Sequence, residues 1–151
     1  MWQMIAGLLI LLLAAAADIR KMVIPLWVFA GAGVTSAVSL IVQAVNGMSP
    51  NRFLPAALHA TLPGGILIAL GFLSRGGIGY GDGILALLIG PVFGLHVMAG
   101  GICLAFFLSA LAGAGLMIAR RAGRKTRLPF VPFLLLGMGV ICYVSEMVIH
   151  E

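Results

Sequence analysis

The feature that most constrains this chain is the length of its apolar runs. Trp2 to Ala17 contains no charged residue, and later stretches of similar length repeat the pattern. A run of about 20 apolar residues matches the hydrocarbon core of a bilayer, roughly 30 Å thick. Composition closes the alternatives: 62% of the 151 residues are hydrophobic and only 9% are charged. A soluble domain carries about 25% charged residues, so this chain lacks the polar groups to cover a water-facing surface. A disordered tail and a secreted disulfide scaffold are excluded on the same ground.

Six apolar segments can be placed, at about 2–17, 26–45, 55–73, 83–98, 100–119 and 130–149. They predict an all-α, polytopic membrane protein of about six transmembrane helices, forming one transmembrane domain over residues 1–151. Pro25 suits the start of the second helix, because proline fits the first helical turn. Gly90-Pro91 interrupts the short fourth segment. A glycine-rich loop separates the third and fourth segments, with five glycines between positions 76 and 83.

Charge placement sets the orientation. The chain carries nine Lys/Arg against four Asp/Glu, a net charge of +5. Arg20, Lys21, Arg75, Arg120, Arg121, Arg124, Lys125 and Arg127 all fall in loops on one side, and only Arg52 falls on the other. The positive-inside bias makes the basic side cytoplasmic and leaves both termini outside. Topology thus accounts for the basic balance, with anionic lipid as a partner of those loops, and no role with nucleic acid is expected. No basic residue precedes the first apolar run, which argues for a retained first helix rather than a cleaved signal.

The carboxylates are Asp18, Asp82, Glu146 and Glu151. The two glutamates lie toward the outer C-terminal end, which leaves Asp18 and Asp82 as the acids of the cytoplasmic side. Acids near the hydrocarbon are costly and are candidates for function. Two facing aspartates can share one proton. The ionised one can then take a proton from water while the other donates to a carbonyl oxygen. Bland roles compete: Asp18 as a boundary residue paired with Arg20 or Lys21, and Asp82 as the N-cap of the fourth helix.

Other chemistries have weaker support. His59, His96 and His150 are scattered toward the outer face, and Cys103 and Cys142 form no metal-ligand pattern, so neither a metal nor another cofactor is expected. Ser74 has no cytoplasmic histidine to activate it. The glycine loop lacks both the P-loop and GxGxxG spacings. Gly79 and Gly81 are candidates for a substrate-binding loop, where an extended segment could pair as an added strand.

At these residues the sequence resembles the type IV prepilin peptidases. Asp18-Ile19-Arg20, followed by Ile24-Pro25, is similar to their D-x-R-x-x-x-I-P segment. Gly79-Tyr80-Gly81-Asp82 matches their G-x-G-D signature, and Pro129-Phe130-Val131-Pro132-Phe133 resembles their PFxPF element. The resemblance implies a GxGD-type membrane aspartic endopeptidase in the cytoplasmic membrane of a prokaryote. Its substrate would be a prepilin-like precursor, which loses its short basic leader at the cytoplasmic face. Asp18 and Asp82 would be the catalytic pair. The four-cysteine zinc region of longer relatives has no counterpart here, which resembles the short, peptidase-only form. Ile84 and Leu26 stand where many members have Lys and Asn. The alternative from another class is a small ion- or proton-coupled transporter using the same acids. The sequence does not specify an oligomeric state.

Overall fold

The computed structural model describes residues 2–21, 24–46, 50–74, 79–119 and 129–149. Five α-helices form: α1 (Trp2–Lys21), α2 (Leu26–Val45), α3 (Pro50–Leu73), α4 (Tyr80–Ile118) and α5 (Val131–Ile149). No strand occurs among the described residues. In lipid every main-chain polar group must find its partner inside the protein, and a helix does this within one segment. All five are long and apolar enough to cross a membrane, so the chain is an all-α, multi-pass membrane protein.

α4 reconciles five helices with the six segments read from the sequence. At 39 residues it would be about 58 Å long if straight, nearly twice the thickness of the hydrocarbon. It is not straight. Gly94 has φ 78 and ψ 167, outside the helical region, and divides α4 into two arms. The packing shows that the arms run in opposite directions. Gly83 and Gly90 of the first arm lie against Ile68 and Ala60 of α3, an antiparallel pairing. Gly100 and Gly101 of the second arm lie against Ile141 and Met138 of α5, also antiparallel. Phe93, just before the elbow, packs on Gly7 near the start of α1. The first arm therefore climbs away from the end that holds Asp18, and the second descends toward it.

The sequence places the break elsewhere, at Gly90-Pro91 and again near residue 99. Gly90 is instead a packing glycine: a side chain there would strike the Ala60 carbonyl. Membrane helices associate through small residues that allow close backbone approach, and Gly64, Gly83 and Gly90 do this between α3 and α4. Gly83 thus belongs to a helix interface, and not to the loop that the glycine run predicted.

Pro91 and the elbow leave carbonyls in α4 without their usual helical donors. Polar residues of α2 bond carbonyls of this stretch. Ser36 Oγ donates to the Leu88 carbonyl, and Gln43 Nε2 donates to the Pro91 carbonyl at 3.4 Å. Gln43 also donates to Ser39 Oγ at 3.1 Å, and Ser39 donates to Gln3 Oε1 at 3.3 Å. This chain of bonds fixes α1, α2 and the end of the first arm to one another. The core beneath it contains Leu11, Leu67, Leu85, Ile89, Met98, Leu134 and Met138, all buried. Outward rows such as Ile5, Leu9 and Leu12 on α1 remain exposed, as a lipid-facing surface requires. Cys142 is buried, whereas Cys103 is exposed.

Candidate active site

Asp18 lies inside α1, three residues before its end, because the helix continues through Lys21. The polar patch after an apolar run is therefore the last turn of α1. Asp18 is only 7% exposed. Its Oδ2 accepts a hydrogen bond from the Val131 main-chain N–H at 3.2 Å, and the Phe130 N–H is a second main-chain donor to the same carboxylate. These donors form the N-terminus of α5, where unpaired N–H groups and the helix dipole favour an anion. Arg20 is exposed on the same turn.

Asp82 lies in the first turn of α4, not in a loop. It is not the N-cap. That position is Gly79, which makes no side-chain cap bond, and the Asp82 N–H donates to the Gly79 carbonyl at 3.2 Å. The side chain turns back over Gly79: a Cβ built there would lie 2.8 Å from Asp82 Oδ2. Asp82 and Asp18 are close enough to interact electrostatically.

The three motifs singled out in the sequence meet at this end of the bundle. A Cβ on Gly81 would make ordinary contact with Ile24 at 3.5 Å and Phe29 at 3.7 Å, so the Ile24-Pro25 corner lies beside the Gly79–Asp82 turn. Phe130 packs on Phe106 of α4 with ring centroids 4.9 Å apart, which anchors the start of α5 beside Asp18. Gly79 has extended backbone, but Gly81 is helical, so Gly81 has no free edge for a paired strand. Residues 75–78, the basic segment 120–128, His150 and Glu151 lie outside the described residues.

The main-chain donors at Phe130 and Val131 are the candidate-site groups that sequence reasoning missed. Pro129 to Phe133 is visible as a motif, but a backbone N–H leaves no mark in a sequence. His59 and His96 lie elsewhere. They line one cavity of about 310 Å³ together with Gln43, Pro91 and Gly94, between α2, α3 and the elbow of α4. No group of three or more metal-ligating side chains occurs among the described residues.

The fold and this site define a multi-pass helical membrane protein with two carboxylates gathered at one end of its bundle. The chain belongs to the type IV leader peptidase family, which matches residues 5–118. That span includes both aspartates and ends before α5. The protein is therefore a membrane peptidase. Comparison with curated proteins and with solved structures gives no match.

Proposed function

We propose that this peptidase is an aspartic endopeptidase, with Asp18 and Asp82 as its catalytic pair. It acts as one transmembrane domain in the cytoplasmic membrane of a prokaryote. Its substrate is a prepilin-like precursor, whose short basic leader it removes at the cytoplasmic face. The observation that carries this reading is that Asp18 and Asp82, 64 positions apart in sequence, lie at one end of the bundle within electrostatic reach of each other, the end that the positive-inside bias of the basic loops makes cytoplasmic. The substrate fits that depth, because its leader is cytoplasmic and its apolar stem lies in the bilayer.

The chemistry needs no group beyond the pair and water. One carboxylate takes a proton from water as the water oxygen bonds to the scissile carbonyl carbon. The other, protonated, gives its proton to the carbonyl oxygen. In the resulting tetrahedral species the carbon–nitrogen bond breaks. The nitrogen leaves with the proton first taken from water, and a hydroxyl proton returns to the second carboxylate. The products are a carboxylic acid on the leader and a free amine on the stem, and the pair again holds one proton. Repulsion between two like charges favours this shared-proton state.

The test is co-expression with a panel of pilin-like precursors, with precursor size followed on a gel. Wild type is compared with Asp18→Asn and Asp82→Asn, and membrane insertion of each is measured in parallel. A shorter product from wild type that is lost in both inserted variants is expected. Normal cleavage by either variant would overturn the assignment.

A further inference from the structure

The N-terminus of α5 spends all its free donors on one side chain. The first main-chain N–H groups of a helix have no partner within it, and here they belong to residues 130–133. Pro132 has no N–H. The Phe133 N–H is taken by the Phe130 carbonyl at 3.0 Å, as is the Leu134 N–H one residue later. Only Phe130 and Val131 remain, and both donate to Asp18. Asp18 is itself more than nine-tenths buried, so these bonds form away from bulk water, where a hydrogen bond to a charged group is strong. The bond spans 113 positions of sequence.

Building on the reading of Asp18 as a catalytic carboxylate, we infer that the main-chain N–H of Val131 is a positioning group for catalysis. It holds Oδ2 of Asp18 and so fixes the orientation of that carboxylate. A carboxylate held by main-chain donors is presented as an acceptor, which makes Asp18 the general base of the pair and Asp82 the acid. Pro132 has no N–H to add, so the donors to Asp18 are those of Phe130 and Val131. The Val131 side chain is not required for the role, although it is fully buried.

The test separates the N–H from the side chain. Val131→Pro removes the donor, and proline is well tolerated at the first position of a helix. Val131→Ala keeps the donor and removes only methyl groups. Leader cleavage is measured with the full-length protein and a precursor known to be cut by wild type. Loss of a hydrogen bond to a charged group predicts a fall in kcat of roughly 10- to 100-fold for Val131→Pro, with KM within about twofold. Val131→Ala is expected to stay within about threefold of wild-type kcat. A purely structural role predicts the reverse order, because alanine leaves a cavity. Wild-type kcat in Val131→Pro, or an equal loss in Val131→Ala, would overturn the inference. If Val131→Pro does not insert, the α-hydroxy analogue of valine at 131 replaces the N–H with oxygen and retains the side chain. It is expected to show the same loss of kcat, and normal turnover would overturn the inference. Normal cleavage by Asp18→Asn would instead defeat the catalytic reading on which this rests.

Discussion

Replacing Gly79 by alanine should damage catalysis while leaving the fold nearly untouched. The added Cβ would lie 2.8 Å from Asp82 Oδ2 and 3.3 Å from its Cγ. To reach ordinary contact at 3.4 Å the carboxylate must withdraw by roughly 0.6 Å. A catalytic group has to be held within about 0.5 Å of its working position, and a misplacement of about 1 Å can cost a hundredfold in rate. A displacement of this size predicts a loss of about tenfold in kcat. The cost in stability is small for two reasons. The displaced atom is the free end of a side chain, and Gly79 has φ −64 and ψ 123, which any residue adopts. A change below about 1 kcal/mol is expected. The assay is cleavage of a precursor by purified protein in detergent, with kcat and KM determined beside the thermal midpoint. Gly81→Ala is the control, since its Cβ meets only Ile24 and Phe29 at ordinary distances. Wild-type kcat in Gly79→Ala, or an equal loss in Gly81→Ala, would refute the reasoning.

Two further substitutions probe the scaffold. Gly90→Ala drives a Cβ into the Ala60 carbonyl, and because backbone faces backbone neither side can yield cheaply. A loss of about 1–3 kcal/mol in thermal unfolding is expected, and an unchanged midpoint would show that the α3–α4 contact is looser than described. Gly94→Ala has open space around its Cβ, so its cost is conformational. With φ 78 and ψ 167, alanine should lose about 1–3 kcal/mol at the elbow, and a neutral result in the same measurement would mean that the turn can be made another way.

Much of the architecture was legible because hydropathy is a local property. Each segment from Trp2 onward reports its own preference for lipid, and proline at position 25 reports a helix start without knowledge of any neighbour. The position of the break in α4 is not legible, for the opposite reason. Gly90-Pro91 looks like an interruption in one dimension, but α3 packs on Gly90, while Ser36 and Gln43 serve the carbonyls around Pro91. The helix survives there and yields at Gly94, where positive φ is available at no steric cost. The glycine run 76–83 likewise reads as one loop, although Gly83 is there to let two helices touch.

Sequence alone determined that the chain is a multi-helix membrane protein, which end of the bundle is basic, and which two acids share that end. These follow from the transfer of side chains between water and lipid, and that transfer depends on each residue's own chemistry. Only the tertiary structure decided what each acid touches. The main chain of α5 comes to hold Asp18 because two helices distant in sequence meet at their ends. Asp82 folds over Gly79 because the first turn of α4 brings them together. Hydrogen bonds to main-chain atoms depend on position rather than residue identity, so they exist only once the helices have packed.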